Sequence, residues 1–239
     1  PLFADCRVVQ VGCSGGGIAT GWAAQLQPVY APELTGVLVG SSLGGVPADY
    51  AELFDTMDGT VAAGLYRAAV LGLAREHPEL YPLLSDTGDV VAHGLRDSCA
   101  AANTAGGLVP APLSALTHVD PRTDPTVLRI MARNRLGRPD PAHGADPREV
   151  PTGPVQVWNG DAVVPIGPAP GSEQGPGDRH IPAWTARRLA AEWCAAGADV
   201  EYTPVAGEHV TAAYTAVGPA LDWVDDRARG RAFTSGCRS

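Results

Sequence analysis

Short apolar runs alternate with amphipathic stretches along this chain, and glycine or proline separates most of them. The apolar runs are too short for helices and are flanked by turn residues, which predicts four buried strands, at Val8–Gly12, Thr35–Ser41, Val155–Trp158 and Asp199–Thr203. Helical periodicity follows three of these strands, at Gly15–Gln27, Ile181–Ala196 and Thr211–Arg227. Strands alternating with helices predict an α/β protein with a mostly parallel sheet.

The long stretch between the second and third predicted strands has only helical patterns. Its predicted helices each begin at or near an Asp or Thr suited to N-capping, at Asp49–Met57, Thr60–Arg75, Asp86–Ala102 and Asp124–Arg135. We therefore predict a helical insertion over residues 50–136, placed as a lid between sheet strands. Ordinary crossover helices are the alternative, and they require an unusually long connection.

Composition is typical of a globular protein and argues against some classes of binding partner. Its 239 residues are 45% hydrophobic, which suffices for a single domain with one sizeable core. The net charge of -9 argues against nucleic acid and anionic membrane surfaces as partners. The longest apolar run, Val61 to Ala74, is interrupted by Arg67 and is too short for a transmembrane segment. The five cysteines include no Cys-x-x-Cys pair, which argues against zinc and thioredoxin chemistry. Neither a metal nor an organic cofactor is expected.

The first predicted strand runs into a Gly-x-Ser-x-Gly motif that a helix follows. The motif spans Gly12 to Gly16 with Ser14 at its centre, and strand–turn–helix is the setting of the nucleophile elbow of α/β-hydrolases. Ser14 is the candidate nucleophile, and the N–H of Gly15 is the candidate oxyanion donor because it opens the helix. Flanking glycines are expected where strand and helix pass closely. The alternative is a glycine-rich turn in which Ser14 only begins a helix.

A catalytic serine needs a base and an acid, and both must come from distant strand ends. Asp161 follows the third predicted strand and His209 follows the fourth, so the chain order Ser, Asp, His is that of α/β-hydrolases. Asp178 is the competing acid, although it is far along the chain from any strand end. His180 is the competing base.

Four segments together resemble the secretory lipase family of α/β-hydrolases. They are Val11–Gly17, Tyr30–Asp49, Gly160–Pro165 and Gly207–His209. The resemblance implies a triad of Ser14, Asp161 and His209, and a lid over residues 50–136. It also implies hydrolysis of acylglycerols and other carboxylic esters outside the cell. Contact of the lid with a lipid interface is a further expectation.

The resemblance also implies an N-terminal part that precedes the elbow in family members and holds the first strands and a second oxyanion donor. We expect a shortened form of that domain, and loss of one donor costs about 100- to 1,000-fold in rate. An inert or weakly active remnant is therefore an alternative function, and a serine peptidase or acyltransferase is a weaker one. Within this fold Cys194 and Cys237 should lie opposite the active site, so we predict a disulfide between them.

Overall fold

The chain consists of two compact units. The structure, a computed structural model, describes residues 6–106, 109–137, 146–161 and 177–237. One unit comprises Pro1–Ala48 and Leu136–Ser239 and contains the sheet, and the other comprises Asp49–Arg135 and is helical. The role of the helical unit as a lid stays a prediction.

The sheet of the first unit is parallel, as the sequence predicts. Its four strands are β1 (Val8–Cys13), β2 (Leu38–Gly44), β3 (Val155–Gly160) and β4 (Val200–Val205). They lie side by side in chain order, and each neighbouring pair is parallel. All four carboxyl ends therefore meet at one edge, where loops that carry functional residues emerge in such sheets.

Strand β2 extends three residues beyond its predicted end at Ser41. Ser41 and Ser42 are buried within the strand and find partners on the neighbouring strands. Gln10 Nε2 donates to Ser41 Oγ at 2.9 Å, and Ser42 Oγ donates to Gln156 Oε1 at 2.9 Å. Because these side chains are hydrogen-bonded across the sheet, their polarity does not end the strand.

Eight α-helices occur in the described part of the chain. They are α1 (Gly15–Tyr30), α2 (Leu53–Thr56), α3 (Ala63–Leu73), α4 (Asp86–Leu95), α5 (Ala100–Gly106), α6 (Pro125–Arg133), α7 (Ala183–Ala195) and α8 (His209–Ala228). None of these helices combines the length and the apolar character that a membrane span needs.

Helices α7 and α8 cover opposite faces of the sheet. Val157 belongs to the core cluster that includes Leu189 and Trp193 of α7. The next residue, Trp158, packs with Ala216 of α8. Successive side chains of a strand point to opposite faces, so β3 is sandwiched between the two helices.

The helical unit differs in detail from its predicted elements. The single helix predicted over Asp86–Ala102 is wrong, because α4 ends at Leu95 and α5 begins at Ala100. The intervening residues include Ser98, whose Oγ bonds back to Gly94 O at 2.9 Å, a local bond that competes with helix continuation. The predicted helix over Asp49–Met57 is also shorter, since only Leu53–Thr56 is α-helical.

The predicted disulfide between Cys194 and Cys237 is confirmed. It joins α7 to the segment that follows α8. Gly236 N donates to Val200 O at 2.8 Å, so this segment lies along the start of β4. The start of a parallel strand lies at the opposite end of the sheet from the candidate active site.

Candidate active site

Ser14 occupies a strained turn between β1 and α1. Its φ of 56° makes it the single non-glycine residue with positive φ among the described residues. Its N–H donates to Gly44 O at 2.8 Å, which fixes the turn to the end of β2. The hydroxyl makes no capping bond to α1, so the helix does not occupy it. Non-glycine residues held in strained conformations cluster at functional sites.

The glycines around Ser14 have different reasons to be there. A Cβ on Gly12 would lie 2.1 Å from Gly16 O, because strand and helix pass closely at this point. A Cβ on Gly16 would meet nothing within 4 Å, so the expected clearance role of Gly16 is wrong. Gly17 is the second tight position, with Gly44 O at 3.1 Å.

His209 begins α8 and faces the elbow. Its Nε2 lies 3.0 Å from Ser14 Oγ. Glu208 is the N-cap of α8, and it forms a capping box with Thr211. Backbone N–H donation from Thr211 holds the pKa of Glu208 below its usual range. Glu208 therefore stabilises the helix that carries His209.

Asp178 is the carboxylate that faces His209. Its Oδ2 lies 2.7 Å from His209 Nδ1, and its side chain is fully buried. Its Oδ1 accepts the backbone N–H groups of His180 and Ile181 at 2.9 and 2.8 Å. An ionised carboxylate only accepts, so Nδ1 of His209 carries the proton and Nε2 is free to accept from Ser14. Ser14, His209 and Asp178 thus form one continuous chain of hydrogen bonds.

The structure corrects the predicted pairing of Asp161 with His209. Tyr202 Oη donates to Asp161 Oδ2 at 2.8 Å, and Arg187 Nη1 lies 3.0 Å from the same oxygen. The carboxylate is only 2% exposed. Burial, followed by the contact with Asp161, raises the pKa of Tyr202. Asp161 is therefore part of a buried polar cluster with α7 and β4.

Strand alternation explains why Asp161 points elsewhere. Asp161 continues β3 by donating its N–H to Val205 O, and it shares the parity of Val157, which faces α7. His209 belongs to α8, on the other face. A carboxylate directly after β3 is therefore directed toward Arg187 of α7, away from the imidazole.

Asp178 is distant from β3 along the chain but adjacent to it in space. Its N–H donates to Gly160 O at 3.0 Å, so the chain departs from β3 at Gly160 and returns to the same point at Asp178. Asn159 reinforces the junction, because its Nδ2 donates to Gly160 O and Ile181 O. The predicted loop over 166–179 and the family-like residues Val163–Pro165 fall mainly outside the described residues. The sequence signal for this return is an Asp placed four residues before Pro182, at the start of an amphipathic helix.

Two glycines bring the histidine loop against this junction. A Cβ on Gly160 would lie 2.4 Å from Gly207 O and 3.2 Å from Asp178 Cβ. A Cβ on Gly45, whose φ is +48°, would lie 2.9 Å from His209 Cε1. Both positions require the absence of a side chain for the imidazole to reach Asp178.

The surroundings of Cys13 show the electrostatic effect of the site. Burial raises the pKa of the Cys13 thiol, and the negative charge of Asp178 raises it further. Cys13 packs against the apolar cluster around Trp158. A neutral, packed thiol is a poor nucleophile, so Ser14 is the better candidate of the two adjacent residues. No group of His, Cys, Asp and Glu suited to a metal ion occurs among the described residues.

Comparison with known proteins identifies the family of this chain. The model of the family described as "Secretory lipase" matches residues 2–236. The chain belongs to the secretory lipase family. It is 33% identical to Lipase 5 of Candida albicans over 245 residues, covering 98% of this chain and 48% of that protein. It is 26% identical to a secreted triacylglycerol lipase of Malassezia furfur, covering 99% of this chain and 46% of that protein.

Solved structures give the same fold. The structure of Candida antarctica lipase A superposes with a TM-score of 0.79 and 25% identity, over 97% of this chain and 51% of that one. An esterase of Xanthomonas oryzae gives a TM-score of 0.67 at 14% identity, over 95% of this chain and 60% of the other. This member of the secretory lipase family therefore has the α/β-hydrolase fold. The chain spans about half the length of the curated relatives it matches.

Proposed function

We propose that this secretory lipase family member is a serine hydrolase of carboxylic esters, with Ser14, His209 and Asp178 as its triad. The observation that carries the proposal is the hydrogen-bonded chain from Ser14 Oγ through the imidazole to the buried carboxylate. The strained backbone at Ser14 is a second, independent support.

The proposed reaction follows from the roles that these atoms can take. His209 Nε2 accepts the proton of Ser14 as Oγ attacks the ester carbonyl carbon. Asp178 holds the imidazole in the required tautomer and stabilises the imidazolium that forms. The imidazolium then protonates the leaving alcohol, and water hydrolyses the acyl-enzyme by the same route.

The N–H of Gly15 is the proposed oxyanion donor. Gly15 is the first residue of α1, and the first N–H groups of a helix have no intrahelical acceptor. The positive end of the helix dipole adds to their attraction for a developing negative charge. A tetrahedral intermediate on Ser14 would place its oxygen within reach of this end of α1.

Lipid esters are the proposed substrate class, and the protein is proposed to act on them outside the cell. This part of the proposal rests on the relatives, one of which is named a secreted triacylglycerol lipase. Contact of the helical unit with a lipid interface is part of the same proposal.

Hydrolysis of p-nitrophenyl butyrate tests the proposal directly. We expect activity in the wild type, loss of about 10⁶-fold in kcat on Ser14→Ala, and no change on Ser114→Ala, an exposed serine of the helical unit. A fluorophosphonate should label Ser14 and should label no other serine. A folded wild type with neither activity nor label would favour the inert remnant, and cleavage of peptides instead of esters would favour a peptidase.

A further inference from the structure

A cavity lined by three arginines lies at the opposite end of the sheet from Ser14. It has a volume of about 300 Å³ and is bounded by residues at the amino ends of the strands and at the end of α8. Arg7 precedes β1, Leu38 begins β2 and Pro154 precedes β3, while Arg227, Arg231 and Phe233 come from α8 and the segment after it. Three guanidinium groups therefore share one cavity in a chain whose net charge is -9.

Arg227 is the buried member of this set. It is 5% exposed, and its stem passes beneath β2, where a Cβ on Gly40 would lie 2.8 Å from Arg227 Cγ. The structure gives its guanidinium one hydrogen bond, from Nη2 to Ala232 O at 3.0 Å. Its Nε is buried and has no hydrogen-bond partner among the described residues.

Aromatic rings compensate only part of the burial of this charge. The guanidinium carbon of Arg227 lies 5.3 Å from the ring centroid of Trp223 and 5.4 Å from that of Phe233. Within the described residues, no carboxylate forms an ion pair with it. A buried cation is costly unless it is paired and its N–H groups are satisfied. The positive charge of Arg227 therefore has no negative partner within the described residues, and an anion in the cavity would compensate it.

The two other arginines are exposed and surround the same opening. Arg7 donates from Nη2 to Arg227 O at 3.1 Å, which covers one of the last carbonyl groups of α8. Arg231 forms an ion pair with Asp226. A guanidinium has five N–H donors, so both side chains retain donors for a further acceptor.

We propose that this cavity is a binding site for a phosphate-sized oxyanion. Arg227 would present its buried guanidinium to the cavity, and Arg7 and Arg231 would supply donors from the rim. Guanidinium groups bind phosphate through several charge-assisted hydrogen bonds at once, which suits three arginines around one cavity. The bound anion would link the segment after α8 to the starts of the strands. The proposal is independent of the esterase function, because it concerns the other end of the sheet.

Titration with inorganic phosphate tests the site. The melting temperature is measured as phosphate replaces chloride at constant ionic strength, and the dissociation constant is taken from calorimetry. We expect phosphate, but not chloride, to raise the melting temperature in a saturable way. Arg231→Gln should weaken phosphate binding at least tenfold. Arg229→Gln is the matched control, since Arg229 is exposed, pairs with Asp225 and does not line the cavity.

Several results would overturn the proposal. These are a wild type with no phosphate effect beyond that of chloride, or equal binding by wild type and Arg231→Gln. Arg227→Met tests the role of the buried guanidinium. If the Arg227→Met variant does not fold, Arg7→Gln is measured in its place. Pelleting with phosphatidylcholine vesicles, with or without phosphatidic acid, shows whether the bound phosphate group belongs to a lipid or to a free anion. Binding that needs both phosphatidic acid and Arg231 supports the same phosphate chemistry on a lipid headgroup, and absence of pelleting supports a free anion.

Discussion

Replacing Asp178 by Asn is the sharpest test of the proposed triad. Two backbone N–H groups, of His180 and Ile181, donate to Oδ1 of Asp178, so the amide oxygen of Asn must occupy that position. The amide nitrogen then replaces Oδ2, which lies 2.7 Å from His209 Nδ1. An amide nitrogen only donates, so Nδ1 must become the acceptor and the proton moves to Nε2. A protonated Nε2 cannot accept the proton of Ser14.

The expected loss of activity follows from this tautomer change. Reversal of the tautomer in a serine triad lowers kcat by about 10⁴-fold, which corresponds to about 5.5 kcal/mol in the activation barrier. The KM should change little, because no substrate contact is altered. Far-UV circular dichroism and the melting temperature verify that the variant is folded.

Asp161→Asn is the matched comparison, since both carboxylates are buried and both lie close to the end of β3. Tyr202 and Arg187 both contact Oδ2 of Asp161, and an amide oxygen can replace that atom. We expect kcat within about threefold of the wild type, because the triad contacts are untouched. The half-exposed Arg187 loses its ion pair, so the free energy of unfolding should fall by about 1–3 kcal/mol.

The assay is the initial rate of p-nitrophenyl butyrate hydrolysis at saturating substrate. A folded Asp178→Asn variant that keeps more than a tenth of the wild-type kcat would refute the reasoning. So would a loss of activity in an Asp161→Asn variant that is still folded. The latter result would restore the acid that strand order suggests.

Three further outcomes are expected. Gly45→Ala should lower kcat at least 100-fold, because its Cβ would displace the imidazole and φ is +48°, whereas Gly72→Ala in α3 has open space and should leave the rate unchanged. Reduction of the disulfide between α7 and the C-terminal segment should lower the free energy of unfolding by about 2–4 kcal/mol, measured by urea denaturation with and without reductant. With iodoacetamide near pH 8, Cys99 should react before Cys13, because backbone N–H groups lower the pKa of the exposed Cys99 thiol while burial raises that of Cys13; peptide mass spectrometry gives the order, and faster alkylation of Cys13 would contradict it.

The local sequence was enough to predict the features that depend only on neighbouring residues. Adjacent glycines and a change from strand to helix pattern predict the elbow at Ser14, and the structure has a strained strand-to-helix turn at this residue. His209 follows a strand and begins a helix, and the structure brings it to Ser14. The disulfide was predictable because Cys194 ends one helix and Cys237 follows another, and the C-terminal ends of both helices lie opposite the site in this fold.

The acid was not predictable in the same way, because its position depends on a long-range return of the chain. Asp161 has the expected place in the sequence, yet the pleat directs it toward Arg187. Asp178 reaches His209 only because its backbone bonds to Gly160 and glycines permit close approach there. Likewise, the end of β2 was missed because the partner that satisfies buried Ser42 is distant in sequence.

The junction between Gly160 and Asp178 makes the position of the proposed acid independent of the number of residues between them. The hydrogen bond from Asp178 to Gly160 fixes the acid, together with the contacts that Asn159 makes across the junction. The number of residues between these two anchors has no direct effect on where the carboxylate lies. Doubling the length of a flexible connection costs only about 0.6 kcal/mol. Evolution or a protein engineer can therefore change the number of residues between these two anchors without moving the proposed acid away from His209.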